Sequence, residues 1–380
     1  MKRVLDASAP RSTPADQLGE DALADPGFSA DLIRWQKKHG RHVLPWQNTR
    51  DAYRIWLSEI MLQQTQVAAV IPYYQRFLTR FPDVASLAAA PSEDVMARWS
   101  GLGYYTRARN LHRCAQRVAA EFDGRFPDDP ALLAELPGIG RSTAAAIAAF
   151  AYGKRAAILD GNVKRVFARV FGIDGYPGEK AIENRLWLRA VALLPSGDVE
   201  SYTQGLMDLG ATVCARSKPS CNICPMAGRC IALRDDRVGE LPVRKQKKTI
   251  PERQTSMLLV IDKRQVLLEQ RPAHGIWGGL LSLPEIALPE NGNATECEQL
   301  VAQAVAPFGM FAGYDKLTSF SHTFTHFKLH IAPYRVDLSR RHDMAGQLQH
   351  QWVGADRVAD APLPAPVKKL LLAAFDEQAA

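Results

Sequence analysis

The sequence contains no apolar run approaching the roughly 18 residues that a membrane-spanning helix needs. Its start, MKRVLDASAPRSTPADQLGE, opens with basic residues but has no hydrophobic stretch behind them, so it resembles neither a secretory signal nor a transit peptide. No repeat at the period of a solenoid is present. These absences argue against a helical membrane protein and predict a soluble, cytoplasmic protein with no membrane partner.

Cysteine is scarce, and four of the six cysteines lie within residues 214–230. They are Cys214, Cys221, Cys224 and Cys230, with the spacing C-x6-C-x2-C-x5-C. A disulfide framework is not expected in a large chain without a secretory signal, so the set indicates metal ligation. Four thiolates can bind either a tetrahedral zinc ion or a 4Fe-4S cluster. The compact spacing favours the iron–sulfur cluster, because structural zinc sites more often pair two separated CxxC segments.

The chain has 380 residues, more than the roughly 250–300 over which a single core usually extends, so two domains are expected. Residues 1–27 are rich in Asp, Ala, Ser and Pro and are predicted to form a disordered tail. Amphipathic helical patterns recur through residues 28–234, whereas residues 255–375 contain short runs typical of strands. The polar segment 235–254 is predicted to be a linker. The expected fold class is multidomain, a mostly α domain followed by an α+β domain.

The charge balance is basic, with a formal net charge of +7 and a pI of about 9.1. Such an excess is consistent with a polyanionic partner such as nucleic acid, although many soluble proteins are mildly basic.

The stretch SEIMLQQTQV, residues 58–67, places Glu59 on the apolar side of a predicted helix. Burial disfavours the charged form of a carboxyl, so this glutamate is suited to act as a general acid. The alternative is a core carboxylate paired with a distant arginine. Four polar uncharged residues follow at positions 63–66, and this block favours a functional role.

The segment LPGIGRSTAAAIAAF, residues 136–150, indicates a Gly-x-Gly turn between two helices. Gly138 and Gly140 permit a tight turn that exposes backbone N–H groups at a helix N-terminus, where a phosphate can bind. Without further context such a turn is more often only structural. Asp160 is the second residue of the segment LDGNVKRV, and from the residues alone it is best interpreted as a helix N-cap.

Taken together, the cysteine spacing, LPGIGRSTAAA and LDGNVKRV resemble the helix-hairpin-helix DNA glycosylase superfamily whose members carry a 4Fe-4S cluster. SEIMLQQTQV, GLGYYTRARNL and SHTFTHF narrow the resemblance to the adenine DNA glycosylases of the MutY family, over about residues 30–370. The resemblance implies a monomeric base-excision repair enzyme. Its partner would be duplex DNA in which adenine is mispaired with 8-oxoguanine or guanine.

The resemblance also implies roles for the acidic residues. Glu59 would protonate the flipped adenine at N7 and later help to activate water, while Asp160 would stabilise the sugar cation and Asn162 would orient the group and water. Glycosylases that also cut the backbone place a lysine just after the hairpin. This chain has Arg141 and Ser142 there, so a monofunctional glycosylase is expected.

Further residues are expected by resemblance to contact DNA. Gln64 and Tyr104 would insert beside the partner base, with Thr65 and Leu102 nearby. The hairpin residues Gly138, Gly140 and Ser142 would contact the backbone. Arg216 and Lys218, in the loop between the first two cysteines, are suited to bind phosphates.

The C-terminal segment resembles a MutT-like (Nudix) domain, here expected to recognise 8-oxoguanine. It contains LLEQRPAHGIWGGLLSLPE but lacks the catalytic Nudix box, so pyrophosphate hydrolysis is not expected. Phe324, Thr325 and His326 align with the Phe-Ser-His of the family, and Thr325 keeps the hydroxyl of the usual serine while adding a methyl group.

Three alternatives stay open from the sequence. An endonuclease III-like glycosylase and lyase acting on oxidised pyrimidines would share the hairpin, the aspartate and the cluster, but it normally carries the hairpin lysine. A Nudix hydrolase fused to a DNA-binding module is disfavoured by the missing Nudix box. A non-enzymatic DNA-binding protein is disfavoured by the presence of both Glu59 and Asp160.

Overall fold

The structure is a computed structural model that describes residues 23–245, 249–272, 274–289, 293–342 and 349–377. Residues 1–22 of the predicted tail and residues 246–248 of the predicted linker lie outside the described residues. The chain divides into two compact units, Met1–Gln64 with Arg117–Gln246 and Thr65–Gln116 with Lys247–Ala380. Each unit therefore combines segments that are distant in the sequence, and the predicted domain boundaries stay a prediction.

The part of the chain before residue 235 is helical, as the amphipathic patterns predict. Its α-helices are α1 (Pro26–His39), α2 (Ala52–Leu62), α3 (Val67–Arg80), α4 (Val84–Ala89), α5 (Ser92–Trp99), α6 (Thr106–Glu121), α7 (Pro130–Ala134), α8 (Arg141–Tyr152), α9 (Gly161–Val170), α10 (Lys180–Ala192), α11 (Val199–Asp208) and α12 (Ile231–Arg234). A π-helix, Leu209–Val213, extends α11, and two short 3-10 turns, Cys221–Ile223 and Ala227–Arg229, precede α12. Among the described residues, no helix has the length and apolar character needed to cross a membrane.

The core of the first unit forms around α8 and α9. The alanine-rich middle of α8 is buried, because side chains of this size let neighbouring helices approach closely, and α8 contacts α2, α7 and α11. α9 contributes the fully buried Val163, Val166 and Phe167. These two helices therefore provide a rigid support for the residues that precede each of them.

The long apolar pattern of residues 53–78 forms two helices rather than one. α2 ends at Leu62 and α3 begins at Val67, and between them Gln64 adopts a positive φ of 59°. A non-glycine residue rarely adopts this conformation, so the polar block of residues 63–66 is a shaped loop rather than a continuation of the helix.

The rest of the second unit contains a mixed β-sheet with flanking helices. The strands are β1 (Glu252–Asp262), β2 (Gln265–Gln270), β3 (Leu281–Ser282), β4 (Glu285–Ile286), β5 (Gly309–Lys316), β6 (Phe320–Thr323), β7 (Lys328–Arg341) and β8 (His350–Gly354), and the helices are α13 (Ala294–Val305), α14 (Ala355–Val358) and α15 (Ala365–Glu377). The main strand order is β3-β2-β1-β7-β5, with β1 and β7 parallel from Glu252 opposite Lys328 to Val260 opposite Val336. β4 pairs with β1, β6 with β7 and β8 with β2.

The apolar core of this sheet lies against α13. Leu258 and Val260 of β1 pack with Val301 and Val305 of the helix. The expected fold class, a helical region joined to an α+β region, is confirmed by this architecture and by the family matches reported below.

The alternating run SFSHTFTHFKLHIAPYRVDL, residues 319–338, is typical of a strand, and the structure divides it into a hairpin. β6 and β7 are antiparallel, and residues 324–327 between them form a turn, named here the FTHF turn. The turn closes because the Phe324 N–H donates to the Phe327 carbonyl at 2.8 Å, while the two rings stack at 4.7 Å. No Gly, Pro, Asn or Asp marks it, so the sequence gives no turn signal.

Candidate functional site

Glu59 lies on the last turns of α2, among buried residues that include Trp56 and Ile60. Glu59 as a whole is only partly buried, so the residue lies at the edge of the core rather than inside it. Two effects together raise the pKa of Glu59 to about 8. The larger is the loss of water around the buried carboxyl, and the smaller is the negative charge of Asp160. A carboxyl with this pKa holds its proton at neutral pH.

Asp160 is the N-cap of α9, and its carboxylate accepts a hydrogen bond from the Val163 N–H at 2.8 Å. Burial raises the pKa of Asp160, and the backbone N–H groups of Val163 and Asn162 oppose that rise, as do the charges of Arg165 and Lys164. Asp160 is therefore an N-cap, as the sequence alone indicates, and its charge also acts on Glu59. Within the described ranges, N–H donors and cations oppose the rise in pKa at Asp160 but not at Glu59.

Asn162 is held by a neighbouring arginine. The Arg165 guanidinium donates to Asn162 Oδ1 at 2.8 Å, to the Gly210 carbonyl at 2.6 Å and to the Cys214 carbonyl at 2.8 Å. Gly210 has no room for a side chain, because an added Cβ would lie 2.6 Å from Asn162 Cβ. Asn162 is thus held by Arg165 of the same helix and packs against Gly210 of the segment that leads to the cysteines.

The Gly-x-Gly turn precedes α8. Gly138 has a φ of 80°, Gly140 is the N-cap of α8, and no side chain in the described residues caps this helix end. Both glycines are exposed, and an added Cβ at Gly140 would meet nothing within 4 Å. The first N–H groups of α8 are thus open to an anion.

Ser142 has a defined partner in the same unit. Its hydroxyl accepts a hydrogen bond from the Leu159 N–H at 2.9 Å, which ties the start of α8 to the residue before Asp160. Directly after α2, the Gln63 side-chain amide donates to the Thr143 hydroxyl at 3.4 Å. The start of α8 therefore contacts both segments that carry the acidic pair.

The four clustered cysteines line one small cavity, together with apolar residues such as Val166 and Val170 of α9. Burial and then the neighbouring thiols raise the pKa of Cys224 to about 11, so without a bound metal this thiol keeps its proton. Among the described residues, no group of three or more His, Cys, Asp or Glu side chains is arranged to hold a metal ion.

Arg169 is a buried cation beside this cavity, with only 4% of its surface exposed. Its guanidinium donates to the Leu241 carbonyl and the Ala215 carbonyl, each at 2.8 Å, and to Cys214 Sγ at 3.4 Å. None of the described carboxylates forms an ion pair with it. Sequence reasoning missed Arg165 and Arg169; their i, i+4 spacing on the helix that follows Asp160 was the available signal.

The loop between Cys214 and Cys221 presents the two basic residues expected to bind phosphates. Arg216 and Lys218 are both exposed, and Lys218 adopts a positive φ of 51°. Their charges are therefore available at the surface.

Residues 100–105, named here the Tyr104 loop, project an aromatic side chain into solvent. Tyr104 is 47% exposed and has a φ of 48°, and Gly101 and Gly103 beside it have φ values of 102° and 72°. Leu102 is instead buried, with 7% of its surface exposed. Tyr104 and Leu102 belong to the same sequence motif, but only Tyr104 is exposed in the structure.

Arg107 supports the Tyr104 loop from beneath. Its guanidinium donates to the Leu102 and Gly103 carbonyls, each at 3.3 Å, and to the Thr65 hydroxyl at 3.1 Å. It also lies 5.5 Å from the centre of the Tyr104 ring. Burial lowers the pKa of Arg107 to about 10, so the side chain stays charged at neutral pH.

The FTHF turn exposes Thr325 and His326 at its tip, while Phe327 is buried. The Thr325 hydroxyl lies 3.5 Å from His326 Nδ1. The two polar side chains therefore present a hydroxyl and an imidazole side by side, which can donate and accept hydrogen bonds.

Known families and proteins match this chain over most of its length. The model of the HhH-GPD superfamily of base excision DNA repair proteins matches residues 57–190, and that of the NUDIX domain matches residues 256–373. The adenine DNA glycosylase of Buchnera aphidicola subsp. Schizaphis graminum is 36% identical over 345 residues, or 90% of this chain and 97% of that protein. The adenine DNA glycosylase of Mus musculus is 30% identical, over 93% of this chain and 79% of that protein. The solved structure of a thermostable thymine-DNA glycosylase aligns with a TM-score of 0.50 and 31% identity, covering 55% of this chain and 96% of that chain.

Proposed function

This chain belongs to the adenine DNA glycosylases of base-excision repair, and on that premise we propose that it removes adenine mispaired with 8-oxoguanine or guanine in duplex DNA. The observation that carries the proposal is the acidic pair of Glu59 and Asp160, in which one carboxyl has a pKa of about 8. Breaking an N-glycosidic bond through a cationic sugar needs both a proton donor and an anion.

Glu59 is the proton donor in this proposal. Its pKa lets it hold a proton at neutral pH and deliver that proton to N7 of a flipped adenine, whose departure then becomes easier. Once deprotonated, the same carboxylate can accept a proton from the attacking water. General acid catalysis of this kind contributes roughly 100- to 10,000-fold to a rate.

Asp160 is the anion that stabilises the sugar cation. The charge on Asp160 raises the pKa of Glu59, so the aspartate ionises first and the glutamate keeps the proton that the pair shares. Asn162, fixed by Arg165, is placed in this proposal to orient Asp160 and the water molecule.

The reaction stops at base removal. Ser142 occupies the position at which lyases carry lysine, and its hydroxyl is engaged with the Leu159 N–H, so no amine is available there to form a Schiff base. We expect borohydride to trap no stoichiometric covalent adduct with DNA. A strong adduct would instead support the endonuclease III-like alternative.

Cys214, Cys221, Cys224 and Cys230 would hold a 4Fe-4S cluster. The four cysteines line one cavity. A zinc ion would need four ligands within about 2.0–2.3 Å of one centre, and the described residues contain no set arranged in that way, so the proposal is a cluster rather than a single ion. When bound, the cluster supplies structure, fixing the loop that presents Arg216 and Lys218 to phosphates.

We assign the remaining DNA contacts mainly to residues with exposed side chains or exposed backbone N–H groups. Gln64 and Tyr104 would enter the duplex, with Thr65 and Leu102 supporting them, and the open start of α8 at Gly138, Gly140 and Ser142 would bind a phosphate. Thr325 and His326 would read the base opposite adenine. One chain per DNA site suffices for these contacts, so the enzyme is proposed to act as a monomer.

The test is incubation with a duplex containing one 8-oxoguanine:A pair, followed by strand analysis with and without alkali. The adenine strand should break only after alkali, and Glu59→Gln should slow base removal by roughly 100-fold or more while leaving DNA binding intact. The matched control is Glu200→Gln, on α11, whose carboxylate pairs with Arg50. An intact adenine strand after alkali contradicts the proposal.

A further inference from the structure

The FTHF turn lies on a tryptophan from another loop of the same unit. Trp277 is only 5% exposed, and its ring centre is 5.6 Å from that of Phe324 and 5.9 Å from that of His322. Phe324 in turn stacks on Phe327 at 4.7 Å. The turn contains no glycine or proline to fix its shape, so this stack of rings determines where the exposed tip points.

The loop that carries Trp277 contains three residues with positive φ. Trp277 has a φ of 53°, and Gly275 and Gly279 on either side have φ values of 92° and 76°. Three hydrogen bonds retain this shape: Trp277 O accepts from the Leu280 N–H at 3.0 Å, Pro272 O accepts from the Gly279 N–H at 3.1 Å, and Gly279 O accepts from the Gln270 amide at 3.1 Å. A large residue persists at positive φ only where its surroundings fix it, and here the result is to present the indole to the turn.

A second contact joins this loop to the helix that follows the Tyr104 loop. The Arg109 guanidinium, on the first turn of α6, donates to the Gly278 carbonyl at 2.6 Å and to the Thr106 hydroxyl at 3.0 Å. At the other end of the Tyr104 loop, the buried Ser100 hydroxyl donates to the Leu363 carbonyl at 2.7 Å. The Tyr104 loop is therefore attached at both ends to the part of the chain that carries the FTHF turn.

We propose that Trp277 and Arg109 are positioning residues that set the preference for 8-oxoguanine over guanine opposite adenine. The inference rests on the proposed function, in which the FTHF turn reads that base. Guanine and 8-oxoguanine differ only in the oxygen at C8 and the hydrogen at N7, so a hydroxyl and an imidazole can discriminate them only from a fixed position. Trp277 fixes that position through the ring stack, and Arg109 fixes the tryptophan loop relative to the Tyr104 loop.

The test compares single-turnover adenine excision from 8-oxoguanine:A and G:A duplexes, and the readout is the ratio of the two rates. Trp277→Ala and Arg109→Gln should each lower the ratio by roughly 3- to 10-fold, chiefly by slowing the 8-oxoguanine:A reaction. Trp277→Phe should recover most of the ratio, because a ring remains against Phe324. Arg113→Gln, an exposed arginine on the same helix, and Trp352→Phe, in the core around α13, are the matched controls and should keep the wild-type ratio.

A wild-type ratio in Trp277→Ala or Arg109→Gln overturns the inference, as does an equal fall of both rates, which would indicate only a general loss of structure. If Trp277→Ala does not fold, as judged by circular dichroism, Arg109→Gln decides, since its truncation leaves the ring stack in place. A wild-type enzyme that excises adenine equally from both duplexes would also overturn the inference, because there would be no preference to set, whereas one that excises adenine from neither duplex would contradict the proposed function.

Discussion

Glu59 lies on α2 among buried residues such as Trp56 and Ile60, whereas Asp160 accepts a backbone N–H from the start of α9 and has Arg165 and Lys164 nearby. Burial raises the pKa of both carboxyls, but backbone N–H groups and cations oppose the rise only at Asp160, so Glu59 is the better suited of the two to hold the proton. Sequence could suggest the first half of this arrangement, because an acid on an apolar face is visible in a helical pattern. It could not show that Asp160 is close enough to raise the pKa of Glu59, because 100 residues separate them.

Gly210 offers a residue-scale test of how the acidic site is held. We expect Gly210→Ala to destabilise the protein by about 1–3 kcal/mol and to slow excision by roughly 10- to 100-fold, because the new methyl group would displace Asn162. Thermal unfolding and single-turnover excision measure the two effects. Gly197→Ala, where an added Cβ meets nothing within 4 Å, is the control, and equal behaviour of the two variants would contradict the role given to Asn162.

At the scale of elements, α9 links the acidic site to the cysteine loop. Its N-cap is Asp160, and its side chains Arg165 and Arg169 both bond to the segment around Cys214. A buried cation needs a compensating anion, and for Arg169 the described residues supply thiol sulfur rather than carboxylate. The guanidinium is therefore suited to stabilise the negative charge that the cysteines would carry in the proposed iron–sulfur site.

Removing this cation should weaken cluster retention. In Arg169→Met we expect the proposed 4Fe-4S cluster to be lost roughly 10- to 100-fold more readily, because ligand orientation and charge compensation disappear together. Iron per chain and the decay in air of the broad absorbance near ~400 nm are the measurements. Arg234→Met, which removes an exposed arginine paired with Asp235, is the control. Wild-type iron content and decay in Arg169→Met would contradict this account.

Helices and strands could be predicted from the sequence where apolar residues recur at a regular period. The irregular segments between them could not be predicted in this way. The run from Tyr53 to Leu78 reads as one amphipathic helix, yet Gln64 breaks it through a φ that local composition does not encode. The FTHF turn is stabilised by stacked rings rather than by turn residues. Leu102 is buried although it shares a motif with exposed Tyr104, because burial depends on packing from distant segments.

For the whole molecule, the family resemblance read from the motifs is confirmed by relatives that are 30–36% identical over most of the chain. In a protein that acts on DNA, the net charge of +7 favours binding to the phosphate backbone. Non-specific affinity then depends on the number of phosphates neutralised, and it falls as salt rises.

The double substitution Arg216→Ala with Lys218→Ala should reduce the slope of log affinity against log salt by roughly 2, because two phosphate contacts are removed. The change should be similar for mispaired and fully paired duplexes, since phosphates carry no sequence information. Fluorescence anisotropy over a series of salt concentrations measures it. Arg34→Ala, which removes an arginine already paired with Asp31, should leave the slope unchanged, and an unchanged slope in the double variant would contradict the phosphate role.

The pH dependence of kcat/KM for adenine release from an 8-oxoguanine:A duplex tests the acid role of Glu59 most directly, because this constant reports the ionisation of the free enzyme. The raised pKa means that the required protonated form predominates below pH 8 and is lost above it. We predict a rate that falls roughly tenfold per pH unit above a midpoint near 8, and a Glu59→Gln variant without that alkaline limb. A rate that stays constant to about pH 9.5, or a variant that retains the same limb, would contradict the assignment of Glu59 as the acid.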